Sequence, residues 1–306
     1  MKKYVICLSV IGFLLMTQAS YGVSNNALPQ EPTNPTNTNV VDLDEAKAYY
    51  IKGSSKFDAK DYKGAIQDLT KAISMNPVIA DTYVLRGKSK TMVKDYKGAI
   101  SDFTKAISIN PSNPNYVSAY VLRGWSKAEL KDYKEAIADY TKAISINPGY
   151  ADAYYYRGLS KAAINDYKGA IVDYTKTIAI NPNNDYVYEN RGWSKSVMAD
   201  CKGAITDYTK AISINSNNAN VYALRSLCKG KLKDYKGAIV DSTKAISLNP
   251  KDADSYYYRG LSKIATKDQK GAIQDLEKAK MLYLEQQNFE LSKETDSFIN
   301  GIKNKK

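Results

Sequence analysis

One six-residue string recurs along this chain, and its spacing leaves few folds open. Asp-Tyr-Lys-Gly-Ala-Ile begins at Asp61, Asp95, Asp166 and Asp234, and close variants begin at Asp132, Asp200 and Asp268. Successive starts lie 34 residues apart, except for 37 between Asp95 and Asp132. A fixed period of this length marks a stack of repeats, each a small unit that cannot bury its apolar face alone. The three extra residues fall in Pro111-Ser112-Asn113-Pro114-Asn115, a turn where lengthening costs little.

Each copy divides into two helical patterns. Over Ala80 to Val93 the stripe Tyr83, Val84, Gly87, Met92 recurs at helical spacing, and over Tyr96 to Ile109 the stripe is Ala99, Ile100, Phe103, Ala106, Ile107. Asp95 is placed to cap the second helix, and Asn110-Pro111 closes the unit because a residue before proline avoids helical geometry.

In these columns the sequence resembles the tetratricopeptide repeat family. The aromatic of the first helix is Tyr49, Tyr83, Tyr120, Tyr154, Tyr188, Tyr222 and Tyr256, with a glycine four residues on at Gly53, Gly87, Gly124, Gly158, Gly192 and Gly260. Alanines mark the second helix, among them Ala65, Ala99, Ala136, Ala170 and Ala72, Ala106, Ala143, and proline closes the unit at Pro77, Pro111, Pro148, Pro182 and Pro250. The resemblance implies an all-α fold: a right-handed α-solenoid of seven 34-residue helix-turn-helix repeats, closed by a capping helix and basic tail over 287–306. Its repeats span 46–79, 80–116, 117–150, 151–184, 185–218, 219–252 and 253–286. Four positions depart from the family pattern: Ser226 for glycine, Thr177 for alanine, Ser216 for proline and Ser242 for the aromatic. The region from Asp200 to Ser242 is therefore expected to be the softest.

Strict charge columns run through the repeats. The first helix carries Arg86, Arg123, Arg157, Arg191, Arg225 and Arg259, with Lys52 in the first copy, and a lysine one turn later from Lys56 to Lys263. The second helix carries Asp68, Asp102, Asp139, Asp173, Asp207, Asp241 and Asp275. Two readings compete: a basic stripe for a polyanion, or a structural ladder of Arg–Asp pairs between packed helices. The matched numbers of the columns favour the ladder. The lysine column and the lysines after Asp-Tyr read as a solvated face.

The resemblance implies that partners lie in a concave groove lined by first helices, at positions one and five after the aromatic. The groove candidates are Tyr50, Val84, Lys88, Val121, Trp125, Tyr155, Leu159, Glu189, Trp193, Leu227, Tyr257 and Leu261. The Lys and Asn pair that clamps a chaperone's carboxylate tail is missing from these columns. Trp125 and Trp193 share one column and suit either partner side chains or simple packing against a neighbouring helix.

Residues 1–22 read as a signal peptide: Lys2 and Lys3, an apolar run from Tyr4 to Met16, then small residues around Ala19 and Gly22. An uncleaved anchor is the competing reading, against which the run is short. Residues 23–45, with Pro29, Pro32 and Pro35, read as a flexible Asn/Pro/Thr-rich linker. Export places the mature chain in a periplasm or outside the cell. There Cys201 and Cys228 are either a disulfide or two separate thiols.

Histidine is absent, and the three cysteines form no CxxC pair, which removes the usual proton-transfer and metal-binding groups. No nucleophile–base pairing and no Gly-rich phosphate loop is present. The expectation is a non-enzymatic interaction scaffold with no cofactor, binding a protein or peptide. A formal charge of +12 allows an acidic partner, and a binder of carbohydrate or an anionic polymer is the alternative.

Overall fold

The structure, a computed structural model, describes residues 40–109 and 116–304. The signal-peptide reading of 1–22, most of the linker and the Pro111–Asn115 turn lie outside the described residues. Helix packing divides the chain into two compact units, one ending at Asn165 and one starting at Asp166.

The first unit contains α1 (Val40–Asp58), α2 (Tyr62–Met75), α3 (Ala80–Met92), α4 (Tyr96–Ile109), α5 (Val117–Glu129), α6 (Tyr133–Ile146) and α7 (Ala151–Ala163). The second contains α8 (Tyr167–Ile180), α9 (Asp185–Val197), α10 (Cys201–Ile214), α11 (Ala219–Lys231), α12 (Tyr235–Leu248), α13 (Ala253–Ala265), α14 (Gln269–Glu285) and α15 (Phe289–Lys303). The described residues are all-α, a solenoid of hairpins; within each unit an A helix packs on the B helix that follows it there, and each B helix on the next A helix. α15 packs on α14 as a cap, burying Ile299 and Ile302 with Leu276.

α1 begins at Val40, so the linker ends there rather than at 45. No proline stands between Pro35 and Pro77, and Asp44 and Glu45 place negative charge near the helix start, where the helix dipole favours it.

The repeated string explains how a B helix starts. Asp61, Asp95, Asp166, Asp200, Asp234 and Asp268 each accept a hydrogen bond from the N–H of the glycine three residues on, at 2.9–3.0 Å. The glycine leaves room for that carboxylate. Where Glu135 replaces it, Asp132 makes no side-chain cap bond. The A helices end in Schellman turns: Lys94 has φ 64°, Lys94 N–H reaches Thr91 O, and Asp95 N–H reaches Lys90 O at 2.9 Å. The residue in this left-handed position is Lys60, Lys94, Lys131, Asn165, Ala199, Lys233 or Lys267, never the glycine such a turn favours.

Small residues on the A helices make room for side chains of the B helices. A Cβ on Gly87 would lie 2.7 Å from the Phe103 ring, on Gly124 2.9 Å from Tyr140, and on Gly192 2.8 Å from Tyr208. In the α11–α12 hairpin the glycine is Ser226 and the ring is Ser242. The two hydroxyls meet at 2.5 Å, and Ser226 also reaches Ala238 O. Thr177, the departure on α8, turns its hydroxyl back to Asp173 O. These departures are internally satisfied.

Candidate binding faces of the A helices

The charge columns meet one another. Arg86 Nε and Nη2 donate to Asp102 Oδ2 and Oδ1 at 2.9 and 2.6 Å, and Lys90 Nζ stands 2.8 Å from Asp102 Oδ2. The same two-pronged pair recurs at Arg123–Asp139, Arg191–Asp207, Arg225–Asp241 and Arg259–Asp275, each with its lysine on the same carboxylate. In the first hairpin Lys56 holds Asp68 at 2.6 Å. Asp173 is buried at the matching place on α8. Each pair closes its own hairpin. The link to the preceding hairpin is a further bond from Arg Nη1 to a threonine hydroxyl: Arg86 to Thr70, Arg123 to Thr104, Arg157 to Thr141, Arg191 to Thr175, Arg225 to Thr209 and Arg259 to Thr243. Each of these guanidinium groups also lies over the tyrosine three residues before it, 5.4–5.7 Å from the ring centre. The lysine column one turn after the arginines thus belongs to the ladder and is not the solvated face read from sequence. The lysines after Asp-Tyr, such as Lys63 and Lys97, are exposed.

The groove candidates separate into two groups. Val121, Trp125 and Leu159 are core: Trp125 is 2% exposed and meets Tyr96 edge-on at 5.7 Å. The packing alternative therefore holds for Trp125. In the first unit Tyr50, Val84, Lys88 and Tyr155 are half-buried. Burial lowers the Lys88 pKa, and Asp81 opposes the shift. Asp81 also receives the Tyr116 hydroxyl, while Tyr96 reaches Glu129. Burial raises the carboxyls of Glu129 and Asp152.

In the second unit Glu189, Trp193, Leu227, Tyr257 and Leu261 are half-buried. Trp193 meets Tyr167 edge-on at 5.5 Å. Glu189 lies between two carboxamides: Asn218 Nδ2 donates to Oε2 at 2.8 Å and Asn220 Nδ2 to Oε1 at 2.5 Å. Burial raises its pKa, and those two bonds oppose the rise. Tyr257 is partly covered by the cap, packing on Phe298 and donating to Glu294. Tyr283 donates to Asp254 at 2.6 Å. The column two residues before the opening tyrosine, which holds Asp81, Asp152, Asn220 and Asp254, was legible as part of this face because it stands one turn from the candidates. Cys201 and Cys228 are buried free thiols, with Cys228 Sγ 3.3 Å from Ser196 Oγ.

A tetratricopeptide repeat family model matches residues 46–79, 80–113 and 219–252, a second matches 152–184, and a TPR repeat model matches 126–164. The chain belongs to the tetratricopeptide repeat family. Among solved tetratricopeptide structures, MamA is 25% identical over 58% of this chain and 95% of its own, with a TM-score of 0.53. A tetratricopeptide repeat protein from Parabacteroides merdae is 21% identical over 82% of this chain and 99% of its own, at 0.59. YrrB, described as a TPR protein with an unusual peptide-binding site, is 21% identical over 63% of this chain and 97% of its own, at 0.55. No curated protein matches the chain. The tetratricopeptide fold is that of a protein-interaction scaffold.

Proposed function

We propose that the protein is a non-catalytic adaptor working outside the cytoplasm, and that the A-helix face of each unit holds a basic, partly apolar segment of a partner protein. The observation that carries this reading is the distribution of charge. The ladder holds the arginines and their neighbouring lysines against buried aspartates, while the half-buried Glu129 and Asp152 in one unit and Glu189 and Asp254 in the other stand among the half-buried rings and leucines. Apolar anchors beside partly desolvated carboxylates favour lysine- or arginine-containing segments. Lys88 is the one groove candidate of opposite sign. The acidic partner suggested by net charge does not suit this face.

Export rests on the sequence of residues 1–22, and sequencing the N-terminus of the protein from envelope and culture fractions tests it. A start near Ser20 to Val23 supports export, and a retained Met1 in the cytoplasm overturns it. The face is tested by panning a displayed random-peptide library on the mature chain, residues 23–306, beside an Asp152→Asn/Glu189→Gln variant. Enriched peptides carrying Lys or Arg next to apolar residues, bound at least about tenfold more weakly by the variant, are expected; that factor corresponds to about 1.4 kcal/mol. Equal binding by both proteins would remove this face as the site.

A further inference from the structure

The outer faces of the B helices carry a charge pattern that neither the ladder nor the A-helix face uses. On every B helix two exposed lysines stand eight residues apart, with an exposed residue midway, from Lys63–Gln67–Lys71 on α2 to Lys270–Gln274–Lys278 on α14. Eight residues is about 12 Å along a helix axis. In the second unit the stripes of α8, α10 and α12 are Lys168–Val172–Lys176, Lys202–Thr206–Lys210 and Lys236–Val240–Lys244. The ion pairs seen among the described residues lie elsewhere, on the ladder and at Lys127–Glu135, Lys280–Asp296 and Lys303–Glu277. The exposed acid nearest each of these three stripes along the chain is the N-cap aspartate, already bonded to its glycine N–H. All three inner aspartates are buried.

We propose that this lysine face is a docking surface for a soluble linear polymer of closely spaced phosphates, separate from the A-helix face. The chemistry decides the class. Lysine acts as a point charge for phosphate, whereas the arginine forks that would read planar geometry are occupied in the ladder. Beside the first lysine of each stripe, Tyr167 is packed against Trp193, Cys201 is buried and Tyr235 is half-buried, so no fully exposed ring is offered for stacking bases. Most midpoints are polar or small, and only Val172 and Val240, 60% and 66% exposed, are branched aliphatics, which is too little to insert into a bilayer. Screening decides the valency. At physiological salt the Debye length is about 8 Å, so one stripe holds a single anion weakly while a polymer spanning several stripes adds their effects.

The test uses the mature full-length chain and long-chain inorganic polyphosphate, with orthophosphate and phosphatidylglycerol vesicles as parallel arms. One variant changes Lys168, Lys176, Lys202, Lys210, Lys236 and Lys244 to Gln. A charge-matched control changes the exposed Lys60, Lys231, Lys233, Lys251, Lys267 and Lys293 to Gln. The expected result is polyphosphate binding at low salt, at least tenfold weaker in the face variant and within threefold of wild type in the control, with no binding of orthophosphate. The slope of log affinity against log salt should fall by about four in the face variant, at roughly 0.7 per neutralised phosphate. Three results overturn the proposal: no polyphosphate binding by wild type, equal losses in both variants, or binding to vesicles alone. Equal helicity and melting of the three proteins secures the comparison, and glutamine keeps a helix propensity close to lysine's.

Discussion

Ser226 and Ser242 face each other across the α11–α12 hairpin, hydroxyl against hydroxyl at 2.5 Å, where the neighbouring hairpin sets Gly192 against the Tyr208 ring. The two departures from the repeat pattern therefore meet at one place: the ring and the gap that would admit it are both absent there. Ser242→Tyr alone should drive a ring into Ser226 and lower unfolding stability by about 1–3 kcal/mol, the usual range for overpacking. Ser226→Gly added to it should restore most of that loss. Urea unfolding of the two single variants and the double variant measures the coupling, and additive losses would show that the two positions do not share a site.

The ladder predicts unequal roles for its members. In the α9–α10 hairpin Asp207 is shared by Arg191 and Lys195. Asp207→Asn leaves two cations in a largely buried site and should cost about 3 kcal/mol. Lys195→Met keeps the two-pronged Arg191–Asp207 pair and should cost less than about 1 kcal/mol. Denaturant midpoints of the two variants decide; similar losses would mean that the Arg191–Asp207 pair without Lys195 contributes nothing measurable.

Glu189 gives a pH dependence with a definite sign. Burial raises its folded pKa above the unfolded value, so between the two the folded state binds more protons, and stability falls as pH rises through that window. Glu189→Gln removes the titration. Its stability relative to wild type should therefore be higher at pH 8 than at pH 4, as measured by urea unfolding. A difference that does not change with pH would show that the Asn218 and Asn220 bonds fully offset burial.

The two thiols are predicted to be inert in the folded protein. Cys201 and Cys228 are buried, and burial, together with the neighbouring Cys201, pushes the Cys228 pKa up to about 12 although Ser196 opposes it. Native chain 23–306 kept reduced should react with a thiol reagent only at its unfolding rate, and two equivalents should react in denaturant. Rapid reaction of either thiol in native buffer would contradict the packing.

The hairpin boundaries and the small-residue columns were legible because a period of 34 residues repeats each local signal seven times. The Arg, Lys and Asp columns were visible as columns, but their bonding depended on reach: sequence assigned the lysines to solvent, whereas a lysine one turn from the arginine arrives at the same carboxylate. Trp125 and Trp193 occupy one column and differ in exposure, 2% against half-buried, because their surroundings differ. Column position alone carries no such information. The carboxamides around Glu189 were hidden for a related reason: Asn218 reads as a helix cap, and its reach to the preceding A helix is a tertiary fact.

Every joint made by an Arg–Thr bond is chemically the same joint. Such a connector carries no address: Thr209 would accept Arg191 or Arg259 as readily as Arg225, and only the short tether between consecutive helices sorts them. Freed from that tether, hairpins of different molecules could interleave, so at high concentration refolding is exposed to exchange between chains. The places that break the sameness, Ser226 with Ser242 and Lys280 with Asp296 at the cap, act as punctuation that tells one end of the array from the other.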